Sequence, residues 1–274
     1  MKRETGGAGA GLRVFVPTMG ALHDGHAALI RRARKLATSR GTVVVSLFVN
    51  PTQFGPGEDF AKYPRQISRD LEICRSSGAD LVFAPSVEEM YGNGPTTVIE
   101  ETEVAGPLCG RSRPGHFRGV CTVVGKLFHL VAPTHALFGE KDWQQVAVIR
   151  RMISDLDFPV RIVTHPTVRE KDGLAKSSRN SYLSPEERRV APGIVKAMRR
   201  AVRENRSPEA IVRQAFQEIC LIPGARIDYV EAVEADTLQP LKSRKKNGRL
   251  AVAVFLGRTR LIDNIPVPTI RSRR

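Results

Sequence analysis

The chain has 274 residues, 43 Lys and Arg against 28 Asp and Glu, 41% hydrophobic residues and a formal net charge of +15. That composition excludes a disordered or fibrous chain and allows a sizeable core in one large or two unequal domains. Apolar runs such as Val43 to Val45 and Leu47 to Val49 fall far short of the roughly 20 residues of a membrane span, and Met1 to Leu12 has no secretory apolar core, so a cytoplasmic protein without a membrane partner is expected.

In chain order, short apolar runs predict strands at Leu12 to Val16, Val43 to Val49, Asp80 to Ala84, His135 to Phe138 and Val160 to Thr164. Amphipathic runs between them predict helices at His26 to Thr38, Gln66 to Ser76, Gly119 to Val131 and Gln144 to Asp155. Strands alternating with helices of this length read as βαβ units, so residues 1–168 are expected to form a Rossmann-like, doubly wound parallel α/β domain. Beyond residue 168 the rhythm changes. Pro185 and Pro208 each open a helical run, and Ile227 to Val233 and Leu250 to Leu256 read as antiparallel strands, which gives residues 169–274 as a smaller α+β lid domain. Gly6 to Gly11 precedes the first strand and so reads as a flexible arm rather than a dinucleotide fingerprint.

Cysteines 74, 109, 121 and 220 contain no CxxC pair and read as scattered reduced core thiols. From Pro185 onward 19 Lys and Arg face 10 Asp and Glu, with Lys242, Arg244, Lys245, Lys246 and Arg249 bunched and Arg271, Arg273 and Arg274 at the end. With few aromatics among them, base stacking is poorly supported, and no nucleic-acid partner is expected.

The polar residues fall in a pattern. Pro17-Thr18-Met19-Gly20-Ala21-Leu22-His23-Asp24-Gly25-His26 follows the first strand, Asn50-Pro51-Thr52-Gln53-Phe54 the second, Gly139-Glu140-Lys141-Asp142 the fourth and His165-Pro166-Thr167-Val168 the fifth. In open α/β sheets that edge is where ligands bind. His23 and His26 stand three apart where a helix begins, suited either to a phosphate at the positive helix end or to capping. Gly119 to Lys126 lacks P-loop spacing.

These segments, with Tyr63-Pro64-Arg65, Arg113-Pro114-Gly115-His116-Phe117-Arg118-Gly119-Val120, Ser177-Ser178-Arg179-Asn180 and Arg260-Leu261-Ile262-Asp263-Asn264, carry a resemblance. In this order, over roughly residues 12 to 266, they resemble the pantothenate synthetase family of the HxGH nucleotidyltransferases. The resemblance implies condensation of pantoate with β-alanine: ATP adenylates the carboxylate, pyrophosphate leaves, and the amine displaces AMP. It implies catalytic roles for His23, His26, Lys141, Ser177 and Arg179. ATP contacts are implied for Pro17, Thr18, Met19, His23, His26, Gly139, Lys141, Asp142, Pro166, Val168, Ser177, Ser178 and Arg179; Lys176 stands where the family usually has a hydrophobic residue and is expected either to add an ATP phosphate contact or to point to solvent. Gln53 and Gln145 would hold pantoate, with Asn50 supporting the pocket and His116 orienting Asn50 or the substrate.

The family commonly shows an acidic pair where this chain has Arg69-Asp70. Asp70 alone is therefore expected to help hold Mg²⁺, with the phosphates supplying most ligands. A homodimer is likewise implied. Two rival readings are another nucleotidyltransferase, against which Gln53 and Gln145 argue, and an RNA-binding relative using the basic C-terminal part.

Overall fold

A computed structural model describes residues 11–270. Most of the Gly6 to Gly11 arm, and Arg271, Arg273 and Arg274, lie outside the described residues. Contacts divide the chain into two compact units. The first takes residues up to Thr102, Arg113–Gly139 and Val148–Pro166; the second takes Glu103–Ser112, Glu140–Ala147 and the residues from Thr167 onward.

The first unit is built on five parallel strands, β1 (Arg13–Thr18), β2 (Thr42–Leu47), β3 (Leu81–Phe83), β4 (His135–Gly139) and β5 (Arg161–His165), in the spatial order β3-β2-β1-β4-β5. From β1 the chain winds outward through β2 and β3, then returns to add β4 and β5 on the other side. The order reverses between β1 and β4, which pair at Val14 with His135 and at Phe15 with Ala136. In this architecture the C-terminal end of that pair is the crevice where ligands bind.

Three helices named here belong to this unit: α1 (Asp24–Ala37), α2 (Ile67–Ser77) and α3 (Val87–Tyr91). α1 lays Ile30, Ala33 and Ala37, one stripe of a 3.6-residue repeat, against Val14, Val16 and Val43 of the sheet. Each Ile or Val side chain so removed from water contributes roughly 1.5–3 kcal/mol. α2 stops at Gly78, whose left-handed φ of 94° suits a residue without a Cβ.

α4 (Cys109–Ser112) belongs to the second unit, whereas α5 (His116–Val131) returns to the first. The next helix, α6, spans Trp143–Asp155. The charged run from Pro185 proves to be two helices, α7 (Pro185–Val190) and α8 (Pro192–Glu204). Pro192 has no N–H to continue α7 and opens α8 instead. α9 (Pro208–Cys220) follows, capped by the Ser207 side chain on Ala210 N–H.

β6 (Ala225–Glu234), β7 (Gly248–Leu256) and β8 (Thr259–Val267) form an antiparallel sheet in the order β6-β7-β8. The expectation of two strands omitted β8, whose pattern is interrupted by Asp263-Asn264 and Pro266. It is an edge strand with Pro266 exposed, where a missing N–H costs no ladder bond. Leu250, Val252, Val254 and Leu256 of β7 pack with Ile194 and Met198 of α8 and Ile211 and Ile219 of α9.

All four cysteines are free. Cys74, Cys109 and Cys121 are buried as expected, but Cys220 is exposed at the end of α9. Gly119 to Lys126 lies inside α5, which disposes of a P-loop. No helix among the described residues is long and apolar enough to cross a membrane.

Candidate active site

β1 delivers the chain into a turn held almost wholly by side chains. Thr18 Oγ1 donates to the Ser46 carbonyl at 2.6 Å and accepts from Gly20 N–H at 3.2 Å. Gly20 and Ala21 are both left-handed, with φ of 80° and 51°. For Ala21, which carries a Cβ, that region costs roughly 1–2 kcal/mol.

His23 then caps α1. Its Nδ1 accepts from Gly25 N–H at 3.1 Å, while His23 N–H donates to His26 Nδ1 at 3.2 Å. Capping and chemistry are thus not alternatives. Each Nδ1 is committed as an acceptor, so in the neutral ring the proton sits on Nε2. The two rings lie 4.1 Å apart at a tilt of 37°. In that tautomer two Nε2–H donors stand together at the positive end of α1.

Beyond β2, Asn50 caps the 3-10 turn Pro51–Gln53. Its Nδ2 donates to Gln53 Oε1 at 3.2 Å and to the Gly119 carbonyl at 3.1 Å, and its Oδ1 accepts from Tyr91 at 2.7 Å. Asn50 is 1% exposed and saturated by protein groups, so it orients Gln53. Gln53 Nε2 reaches Met19 Sδ at 2.8 Å, which joins the second cluster to the first.

His116 serves the same corner. Arg113 Nη1 can only donate, so His116 Nε2 accepts at 3.1 Å, and Nδ1–H donates to the Gln53 carbonyl at 2.7 Å. His116 therefore steadies the Gln53 main chain rather than the Asn50 side chain. Arg113 also forks Glu58, Nε to Oε1 and Nη2 to Oε2, both 2.6 Å. Burial alone would raise the Glu58 pKa, but the Arg113 hydrogen bonds and charge outweigh it and hold it at about 2. α5 comes close because Gly119 has no side chain; a Cβ there would meet the Thr52 carbonyl oxygen at 2.4 Å.

The second unit carries the remaining candidates. Lys141 lies on the 3-10 turn Glu140–Asp142, 3.6 Å from Asp142, and Asn264 Nδ2 donates to the carbonyls of Glu140 and Lys141 at 2.8 and 2.9 Å. Arg249 pairs with Glu140 at 3.0 Å and stacks 3.6 Å over Trp143.

Gln144 and Gln145 separate cleanly. Gln144 is buried, its Nε2 donating to Val104, Ala105 and Pro107 carbonyls and its Oε1 accepting from Cys109 N–H. Gln145 is half-buried, and its amide has no hydrogen-bond partner among the described residues. Arg169 forks Asp263 at 2.6 and 2.9 Å, anchoring the loop in which Lys176 N–H meets the Val168 carbonyl. Ser177 caps the turn Ser178–Tyr182 by accepting from Arg179 N–H at 3.3 Å, and Lys176 pairs with Glu170 at 3.2 Å.

The structure thus gathers Thr18, Met19, His23, His26, Asn50, Gln53 and His116 in the first unit. Lys141, Asp142, Gln145, Val168, Lys176, Ser177, Ser178 and Arg179 belong to the second. Gly139 ends β4, and Pro166, whose carbonyl lies 2.8 Å from His165 Nδ1, follows β5.

Asp70 does not match its expected role. It is 3% exposed and both carboxylate oxygens are taken by main-chain N–H groups of Ala21 and Leu22. Among the described residues no group of three or more His, Cys, Asp or Glu is placed to hold a metal ion. The donor set does not fit a protein-built Mg²⁺ site.

Glu58, Tyr91 and Gly119 have roles that the sequence does not disclose. Glu58 and Tyr91 are isolated polar residues without a pattern; Gly119 lies inside the Arg113 to Val120 motif, but a close backbone approach leaves no chemical mark that gives its role.

A parallel α/β sheet with a two-histidine helix start at its switch point defines a nucleotidyltransferase-like protein of the HxGH type. A family model described as pantoate-beta-alanine ligase matches residues 4–266, and the chain belongs to that family. It is 53% identical over 255 residues to the pantothenate synthetase of Moorella thermoacetica, covering 92% of this chain and 89% of the relative. To that of Akkermansia muciniphila it is 51% identical over 255 residues, covering 92% and 91%.

Among solved structures, pantothenate synthetase from Thermus thermophilus superposes with a TM-score of 0.88 at 48% identity, covering 94% of each chain. Pantoate-beta-alanine ligase from Francisella tularensis, complexed with beta-gamma ATP and beta-alanine, gives 0.77 at 36% identity, covering 93% and 89%.

Proposed function

We propose that this chain joins pantoate to β-alanine in two steps at the expense of ATP. A pantoate carboxylate oxygen attacks the α-phosphorus, the bond to the β-phosphate breaks and pyrophosphate leaves. The β-alanine amine then attacks the acyl carbon, loses a proton and displaces AMP. The observation that carries this reading is the histidine pair at the start of α1, whose Nδ1 atoms are occupied by main-chain N–H groups. Two Nε2–H donors at a positive helix end suit the charge that builds on a departing pyrophosphate.

Gln53 and Gln145 are the pantoate ligands in this reading, and Asn50 and His116 hold Gln53 in place. Lys141 bridges the reacting carboxylate and α-phosphate. Lys176, Ser177, Ser178 and Arg179 bind phosphates, while Pro17, Thr18, Met19, Gly139, Asp142, Pro166 and Val168 frame the nucleotide. Mg²⁺ enters on the triphosphate rather than on an acidic cluster of the chain. Family resemblance supports a cytoplasmic homodimer, and a closing role for the C-terminal residues from 169.

Isotope exchange tests the order of events. Labelled pyrophosphate exchanges into ATP with pantoate present and β-alanine absent, and the complete reaction yields AMP. ADP as product, or exchange equally fast without pantoate, overturns the reading. ATP-independent RNA binding with steep salt dependence and no AMP would favour the RNA-binding relative instead.

A further inference from the structure

Asp70 sits in the first turns of α2 with almost no exposure, yet it is ionisable. Its partners explain its burial. Oδ2 accepts from Ala21 N–H at 2.9 Å and Oδ1 from Leu22 N–H at 2.8 Å. Consecutive N–H groups in a left-handed turn converge on one point and make a nest for an anion, and here the anion is the chain's own carboxylate. The fit is close: a Cβ on Gly20 would lie 3.0 Å from Asp70 Oδ2. Every N–H from Gly20 to His23 is thereby met by a side chain, those of Thr18, Asp70, Asp70 and His26 in turn. The residue after this nest is His23. One turn further along α2, Cys74 reports the same interior: burial first, and the Asp70 charge second, push its thiol up to about 11.

We propose that Asp70 is a positioning residue for the adenylation step, holding the Gly20–Leu22 turn so that His23 and His26 present their Nε2–H donors in register, and that it is not a ligand of Mg²⁺. The proposal rests on the functional reading above. A role as a metal ligand would need an oxygen open to the outside, whereas Asp70 is 3% exposed and each oxygen already meets a main-chain donor that the left-handed backbone turns away from any strand or helix partner.

Two measurements test it, one of which needs no activity. In Asp70→Ala and Asp70→Asn, amide hydrogen exchange at Ala21 and Leu22 is expected to accelerate, more in the alanine variant, because asparagine keeps one acceptor oxygen. Unchanged exchange at both amides overturns the proposal, and it does so whether or not the chain makes pantoyl adenylate. In pyrophosphate exchange, a donor displaced by about 1 Å costs on the order of 100-fold, so kcat of Asp70→Ala falls by about that factor, with an unchanged Mg²⁺ half-saturation concentration. Asp70→Asn recovers part of the loss and serves alone should the alanine variant not fold. The loss is expected to shrink, leaving only the part carried by His23, when His26→Ala is already present, because residues acting as one unit are not additive. A raised Mg²⁺ requirement with kcat restored at saturating metal makes Asp70 a metal ligand; full additivity with His26→Ala makes it a structural residue only. Either result overturns the proposal. Absence of pantoate-dependent exchange in the wild type overturns the functional reading and leaves the amide result to decide the turn.

Discussion

Arg113 and Glu58 meet through two hydrogen bonds of 2.6 Å, and the same guanidinium donates to the Gln53 carbonyl at 3.2 Å. A bidentate fork of this kind fixes the plane of both groups as well as their distance. The pair thus sets the height of the segment that presents Gln53.

Acid is expected to loosen that pair in a defined window. The Glu58 pKa is about 2 in the folded chain against an ordinary value of 4.5, so the interaction contributes fully above the ordinary value and is lost as pH falls from there toward 2. Partial exposure of the carboxylate lowers the linkage value to roughly 1–2 kcal/mol. Urea melts should show Glu58→Gln less stable than wild type by about that amount at pH 7, with the gap narrowing as pH falls below the ordinary value and closing only around the folded value of about 2. A gap that widens with acid would mean the wrong sign.

Gly119→Ala places a methyl 2.4 Å from the Thr52 carbonyl oxygen and 2.7 Å from Gln53 N. Both are main-chain atoms and cannot swing aside. The expected cost is about 1–3 kcal/mol of stability, accompanied by a raised KM for pantoate and little change in KM for ATP. Denaturant unfolding and steady-state kinetics on the purified variant check both parts.

The two nitrogens of His26 can be separated by substitution. Asn places an amide oxygen near the Nδ1 position and keeps the cap on His23 N–H, whereas Gln places an amide N–H near Nε2. His26→Asn should therefore melt like wild type and lose on the order of 100-fold in pyrophosphate exchange. His26→Gln should retain more of the rate and lose the cap, worth about 1 kcal/mol. If the asparagine variant is fully active, the Nε2 donor has no part in the step.

Lys141→Ala should cost more in kcat than Lys176→Ala. The Lys141 turn is pinned by Asn264 to its own carbonyls, which leaves the chain little freedom to substitute another cation. Lys176 pairs with Glu170 at 3.2 Å, more closely than Lys141 does with Asp142 at 3.6 Å, so more of its charge is spent within the chain. Kinetics showing Lys176 as the costlier loss would reassign the phosphate cation.

The parallel sheet was legible because β1, β2 and β4 are nearly unbroken apolar runs at intervals that only a crossover helix fills, and four polar clusters fell at strand ends for a reason any open sheet shares. β8 was not legible, since its alternation is broken by Asp263 and Asn264, both buried, which bind Arg169 and the Glu140–Lys141 carbonyls. The part played by Asp70 was hidden too. A carboxylate signals metal by its chemistry, and only three-dimensional structure reveals that two main-chain N–H groups, 48 and 49 residues away in sequence, have already claimed it. Gln144 and Gln145 differ by one step of a helix, and residue type alone could not say which amide is consumed by the protein.

The second unit draws on Glu103–Ser112 and Glu140–Ala147 as well as on the chain from Thr167. During synthesis these two early segments leave the ribosome long before β6, β7 and β8 exist. Cys109 and Ser112 must wait for Tyr229 and Asp228, and the carbonyls of Glu140 and Lys141 must wait for Asn264. The first unit can be completed once Pro166 has emerged, but the second cannot close until β8 has been made. A gene fragment beginning at residue 169 would lack both early segments, so splitting the chain there gives one half that is overlong and one that is short of its own interior.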